Sequence, residues 1–150
     1  MEGITEIDKT EYIDECKEIV RNEIPEELSD EMLTIVTNEI MDTCLFIGGD
    51  FKKEDIYGNI PIFYTNDEDM LLKLLEIKDY NLNMKNKKNE NIFGEIYLRA
   101  VDNGYVNVVK KLFELRVNPY YMSYGDSAIS IAKEKNNLEM IELLQSKGLK

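Results

Sequence analysis

The chain has 150 residues, of which 43% are apolar and 32% are charged, and its net charge is −12. This length predicts a single domain, and the apolar content is enough for a core, which excludes wholesale disorder. The negative charge is segregated: residues 1–50 hold 15 acidic and three basic side chains, whereas residues 51–150 hold 15 of each. Such a field opposes binding to nucleic acid and to anionic membranes, because both require Lys and Arg.

Catalytic and metal-binding chemistry has few candidates. The chain contains no His, which excludes His-dependent triads and ordinary zinc sites, and no glycine-rich phosphate motif occurs. Asp67-Glu68-Asp69 lacks the spaced ligands of a calcium loop and is predicted to begin a helix instead. Cys16 and Cys44 lie at apolar helical positions and are predicted to be core residues. We therefore expect no enzyme activity, catalytic residue, metal or cofactor.

The expected location is the cytoplasm. No apolar run approaches the roughly 20 residues of a membrane span, and residues 1–15 lack the pattern of a secretory signal. Two cysteines without an indicated disulfide suit a reducing compartment.

Two helices are predicted before residue 48. Asp8 is a candidate cap for the first, which ends near Pro25. Its outward face is acidic and comprises Glu11, Asp14, Glu15 and Glu18. The second helix covers about 30–46 and stops at Gly48-Gly49.

The next stretch, Gly48 to Ile62, predicts a helix end, a turn at Gly58, and a helix starting at Pro61. A second helix follows with Leu71, Leu72, Leu74 and Leu75. Residues 83–91 form a polar turn carrying Lys85, Lys87 and Lys88, which is either a basic fingertip that touches a partner or a solvated loop. Ile92–Gly94 is predicted to be an insertion before the next helix.

Two later segments carry a specific resemblance. Ala100, Gly104, Val108, Val109, Leu112 and Phe113 in the first, and Gly125, Ser127, Ala128, Ile129 and Ala132 in the second, resemble the ankyrin repeat, whose period is about 33 residues. Equivalent helix ends at Gly48, Asp79, Arg116 and Gly148 are 31, 37 and 32 residues apart. Arg116 stands at a family Gly, and Leu98 and Ser130 stand at family His positions.

The resemblance covers about residues 36–150 and implies an all-α solenoid of about four helix-turn-helix units. Residues 1–48 would form an irregular acidic cap, and 49–83, 84–119 and 120–150 would be the repeats. Partners of this family commonly dock on the turn tips and first helices. Carried onto this chain, the candidates are Lys53, Glu54, Ile56, Tyr57, Tyr64, Asn66, Lys87, Lys88, Tyr97, Arg99, Tyr121, Tyr124, Ser130 and Lys133.

The resemblance implies a non-enzymatic protein-binding module that is monomeric when free. Its sharper form is an inhibitor or immunity-type protein that binds a basic toxin or nuclease through the acidic face. The alternative is a pathogen, phage or cellular adaptor that redirects or scaffolds a host protein. Two points stay open: the acidic helices either bind or only solubilise, and the crowded Tyr120, Tyr121 and Tyr124 either contact a partner or pack under their turn.

Overall fold

A computed structural model describes residues 50–54 and 56–150. The helices predicted before residue 48, their acidic face and both cysteines lie outside the described residues. The described part is mostly helical, with a 3-10 helix at Pro61–Tyr64 followed by α1 (Glu68–Leu75), α2 (Ile92–Asn103), α3 (Val106–Glu114), α4 (Ala128–Glu134) and α5 (Leu138–Gln145). One short hairpin pairs β1 (Met122–Ser123) with β2 (Asp126–Ser127). No helix in this described part is long and apolar enough to cross a membrane.

Side-chain caps start most of these helices. Asp67 accepts a hydrogen bond from the Met70 amide at the start of α1, which confirms that its acidic cluster begins a helix. Pro61 occupies the first turn of the 3-10 helix, as predicted. The expected insertion at Ile92–Gly94 is wrong: these residues form the first turn of α2, because Asn91 caps the helix by accepting from the Gly94 amide at 2.8 Å.

Asp79 has a φ of 67° but is not the helix end predicted there, because α1 already ends at Leu75 with its cap at Glu76. Arg116 and Gly148 follow the ends of α3 and α5 with φ values of 69° and 93°, the left-handed backbone conformation that stops a helix. This conformation is costly for a residue with a Cβ, by about 1–2 kcal/mol. Arg116 therefore occupies a position that favours glycine, which is where the sequence departs from the family pattern.

The helices pack in two rows around one core. The 3-10 helix, α2 and α4 are successive neighbours in one row, and α1 packs against α3 in the other. Within each connected pair, α2 contacts α3 and α4 contacts α5. The small residues Ala100, Ala128 and Ala132 are buried on α2 and α4, which contact each other. The largest buried side chains, Phe93 and Tyr97, come from α2, so this helix is the centre of the described core.

Three turns precede the 3-10 helix, α2 and α4 and lie side by side. The backbone N–H of Lys87 in the second turn donates to the carbonyl of Tyr57 in the first at 2.9 Å. Lys85 and Asn91 close the second turn through an isolated antiparallel bridge. The third turn is the β1–β2 hairpin. We call the exposed side chains of residues 52–54, 56–57, 85–90 and 122–126 the tip surface.

Candidate partner-binding surface

The first turn presents two large apolar side chains to solvent. Ile56 is 74% exposed and Tyr57 is 60% exposed. Lys53 and Glu54 beside them are also exposed. Gly58, at a φ of 75°, brings the backbone so close to the second turn that a Cβ would lie 3.1 Å from the Lys87 nitrogen. The close approach explains why the turn needs glycine at this point.

The second turn is built around Asn86, which is only 7% exposed. Its side-chain amide donates to Asn59 Oδ1 at 3.0 Å and to Glu90 Oε1 at 2.9 Å. Its oxygen accepts from the backbone amides of Lys88 and Glu90, both at 3.0 Å. Every hydrogen-bonding group of this buried side chain is thus satisfied, so the turn is rigidly specified. One interpretation of residues 83–91 was a solvated loop, but Asn86 within them is buried.

The hairpin turns on Tyr124 and Gly125, whose φ values are 50° and 82°. Two central residues with positive φ are the requirement of a type I′ turn, which favours Asn or Gly at both positions. Tyr124 is bulky, and its side chain is 86% exposed. A strained backbone therefore holds an aromatic ring in solvent at this point.

The base of the hairpin is anchored to the first turn of α2. The Tyr121 and Ser123 hydroxyls both donate to Glu95 Oε1, at 2.9 and 2.6 Å. A Cβ added at Gly94 would lie 2.6 Å from the nearest ring atom of Tyr121, so the ring rests directly on this glycine. Burial, followed by the hydrogen bond to Glu95, raises the pKa of Tyr121 to about 12. Tyr121 is therefore the tyrosine that packs under the turn.

A line of side-chain hydrogen bonds joins all three turns. Asn59 donates to the Tyr64 hydroxyl at 3.2 Å and accepts from Asn86. Asn86 donates to Glu90, and the Tyr124 hydroxyl reaches the second oxygen of Glu90 at 3.4 Å. This line of hydrogen bonds therefore fixes the exposed tyrosines at its two ends, Tyr64 and Tyr124, relative to each other.

Polar contacts between neighbouring helices hold the helical side of the surface. Arg99 donates to the Phe63 carbonyl at 2.6 Å and stacks over the Phe63 ring at 5.1 Å. Burial lowers the pKa of Arg99, while Glu95 and Glu90 act in the opposite direction. Asn66 accepts from Asn103 through its side chain and from the Tyr105 hydroxyl through its carbonyl. These hydrogen bonds join the helices, so Arg99 and Asn66 have only part of their side chains available to a partner.

Most sequence-predicted contact residues are exposed. The exposed group comprises Lys53, Glu54, Ile56, Tyr57, Tyr64, Asn66, Lys87, Lys88, Tyr124, Ser130 and Lys133, whereas Arg99 and Tyr121 are half-buried. Ser130 completes the cap of α4 with Ser127, and Lys133 donates to the Lys150 carbonyl. Glu11, Asp14, Glu15 and Glu18 lie outside the described residues.

Tyr97 must be removed from the predicted contact residues. Its ring is fully buried in α2, and its hydroxyl donates to the Pro119 carbonyl at 2.9 Å. The helical spacing of Phe93, Tyr97 and Ala100 already places it on the apolar face, and this signal could have assigned it to the core.

Sequence reasoning also missed Asn86, Glu95 and Gly94, which order the surface. Nothing local distinguishes Asn86 from the neighbouring asparagines, because its burial depends on Asn59, 27 residues away. Among the described residues no group of His, Cys, Asp or Glu could hold a metal ion. What the surface offers is a row of exposed aromatic, apolar and basic side chains on a rigid base, which suits recognition of another macromolecule.

A scan against protein-family models and a search of the curated proteins both found no match.

Proposed function

We propose that this chain is a non-enzymatic, ankyrin-like protein-binding module whose tip surface contacts another protein. The main support is the conformation of Tyr124, whose ring is exposed and whose φ is positive. An exposed ring at a positive φ has a backbone cost and no packing gain, and such strain typically persists where it serves a function. Tyr side chains are also enriched among the residues that dominate binding energies.

The repeat architecture is the second part of the proposal. Positive φ values recur before the first helix of each unit, at Gly58, Asn89 and Gly125, with spacings of 31 and 36 residues. Those after the second helices recur at Asp79, Arg116 and Gly148, with spacings of 37 and 32. Recurrence near 33 residues, together with successive packing of equivalent helices, supports stacked helix pairs.

The neighbours of Tyr124 support a binding surface. Ile56, Tyr57 and Met122 are all more than half exposed and belong to the same row of turns. Large apolar side chains that stay this exposed are typical of a surface that a partner covers. The rigid Asn86 and Glu95 networks reduce the conformational entropy that binding would cost.

The partner class proposed is a protein with a basic region, such as a toxin or nuclease that this chain would inhibit. The support is the net charge of −12 in residues 1–50, which would attract such a partner at long range. A host-protein adaptor is the alternative function. Neutralising Glu11, Asp14, Glu15 and Glu18 with Gln or Asn should slow association, and added salt should do the same, because the Debye length falls from about 30 Å at 0.01 M to about 8 Å at 0.15 M.

Replacing Tyr124 with Asn separates binding from folding. Asn suits the type I′ turn, so Tyr124→Asn should stabilise the protein by up to about 1 kcal/mol while it removes the aromatic contact. Proteins from the source cell would be captured on immobilised wild type and on Tyr124→Asn, and the recovered partner would then be purified for measurement of Kd. Tyr120→Ala is the matched control, because Tyr120 is 59% exposed but contacts the end of α5 at the Lys147 carbonyl.

We expect Tyr124→Asn to weaken binding of the partner at least about tenfold, and Tyr120→Ala to leave it unchanged. A partner that binds wild type and Tyr124→Asn equally would refute the tip surface as its docking site. If the acidic face only solubilises the chain, association of the same partner will be indifferent to salt and to the four neutralisations.

A further inference from the structure

The second turn stands apart from the rest of the chain in charge. Residues 83–89 carry Lys85, Lys87 and Lys88 and no acidic residue, in a protein whose net charge is −12. All three lysines are exposed. Within the described part, the ion pairs join Lys111 to Glu76 and Glu114, and Lys135 to Asp102. The three lysines of the second turn have no ion-pair partner in that part.

The acid on the same turn, Glu90, is engaged by other side chains. Glu90 accepts from the Asn86 side chain and from the Tyr124 hydroxyl, so its two oxygens serve the network that joins the turns. By sequence the acids on the neighbouring turns are Glu54, Asp55 and Asp126, while Lys52 and Lys53 accompany the first two on the first turn. The local balance is therefore basic at the centre of the tip surface.

The lysines project from a fixed backbone. The amide of Lys88 donates to Asn86 Oδ1, and that of Lys87 donates to the Tyr57 carbonyl. These bonds set the positions of both Cα atoms relative to the first turn. Ile56 and Tyr57 on that turn have exposed side chains. Lysines on a backbone fixed by a buried amide have a lower entropy cost of binding than lysines on a mobile loop.

From this arrangement we infer that the Lys87–Lys88 turn docks an acidic peptide segment of the partner. Carboxylates of that segment would pair with Lys87 and Lys88, and an apolar side chain next to them would lie on Ile56 and Tyr57. The inference rests on the proposed function and specifies the chemistry of one segment of the bound protein. Charge complementarity selects the occupant, since a basic segment would meet unpaired lysines of like sign.

Asn86 would position Lys87 and Lys88 for this docking. Its side chain is the link between the first turn, the second turn and Glu90, and it bears no net charge itself. Losing it should release the turn and weaken peptide binding although every lysine remains. A purely electrostatic role of a flexible turn would not respond in this way.

A random peptide library displayed on phage tests the docking site without knowledge of the natural partner. The library would be panned on wild type, on Lys87→Gln/Lys88→Gln and on Tyr124→Ala. A matched control, Lys78→Gln/Lys110→Gln, removes the same charge from exposed positions away from the three turns. Selected sequences would be synthesised, and their Kd measured at low and physiological salt.

We expect wild type to select peptides rich in Asp and Glu with an aromatic or aliphatic residue nearby. Lys87→Gln/Lys88→Gln should weaken these peptides about five- to tenfold at low salt, and less at physiological salt, whereas the control pair should not. Asn86→Ala should weaken them with its lysines intact, and urea unfolding would verify that this variant is folded. Binding unchanged in folded Asn86→Ala would remove the positioning role.

Other outcomes would overturn either the acidic peptide alone or the tip surface as a whole. Selection of peptides without acidic bias, whose binding depends on Tyr124 but not on the two lysines, would overturn the acidic occupant and leave the proposed function standing. Binding of phosphorylated peptides or of single-stranded DNA in place of carboxylate peptides would replace the occupant with a phosphate-bearing one. Peptides that bind all the variants equally would overturn both this inference and the tip surface.

Discussion

Gly94 is the position where two opposing effects make the sharpest test. It lies inside α2, where Ala is favoured over Gly by about 1 kcal/mol. The added Cβ, however, would lie 2.6–2.7 Å from three atoms of the Tyr121 ring, so the ring would have to move as a unit. Overpacking of this kind costs about 1–3 kcal/mol, and displacing the Tyr121 hydroxyl from Glu95 adds about 1 kcal/mol. We therefore expect Gly94→Ala to destabilise the protein by about 1–3 kcal/mol.

A double-mutant cycle isolates the cause. In a Tyr121→Ala background the obstructing ring is gone, and Gly94→Ala should change sign and stabilise by up to about 1 kcal/mol. The free energy of unfolding would be measured by urea denaturation of the wild type, both single variants and the double variant. Stabilisation by Gly94→Ala in the wild type would refute the packing of Tyr121 on Gly94. Equal destabilisation in both backgrounds would place the clash elsewhere.

Three further predictions concern tyrosine hydroxyls and one helix end. Tyr80→Phe should be neutral or stabilise the protein by up to about 1 kcal/mol, because the buried Tyr80 hydroxyl has no partner among the described residues. Tyr97→Phe should cost about 1–2 kcal/mol, because the Pro119 carbonyl loses its donor. Urea unfolding of both variants makes the comparison. Arg116→Gly should raise the thermal midpoint through about 1 kcal/mol of relieved backbone strain, and a lower midpoint would contradict that reading of its φ. The pKa of Tyr121 is raised from its ordinary value of 10.0 to about 12, so its neutral form favours the folded state below the lower value, and this stability is lost as the pH rises through the higher one. Urea unfolding at about pH 9 and about pH 11.5 should show a smaller alkaline loss for Tyr121→Phe than for wild type.

Local signals in the sequence located some of the helix boundaries. Asp67 is followed by two acids and an apolar run, which is the pattern of a helix start, and it caps α1. Arg116 and Gly148, predicted as helix ends from the family resemblance, have the backbone of a helix end, whereas Asp79 lies beyond the end of α1 at Leu75. Such features depend on contacts within a few residues, which one sequence contains in full.

Features that depend on distant residues were not predictable in the same way. Gly94 argues against a helix by propensity, and its place in α2 makes sense only with the Tyr121 ring lying on it. Asn86 resembles the other asparagines of its turn until Asn59 is known to face it. Tyr97 is different, because the apolar stripe of α2 indicates its burial, whereas the predicted surface role came from the family resemblance.

The bond from the Lys87 amide to the Tyr57 carbonyl affects how the molecule opens. It is a main-chain link between two turns, and the helices that follow them are also joined by the hydrogen bond from the Arg99 side chain to the Phe63 carbonyl. Hydrogen exchange at the Lys87 amide would require these turns to separate, so its rate measures the free energy of that subglobal opening rather than fraying of one turn. Such a link raises the coupling between the two turns and makes the unfolding of the helices that follow them more cooperative. The amides at the end of α1 and the amide of Lys87 should therefore become exposed to solvent in the same event.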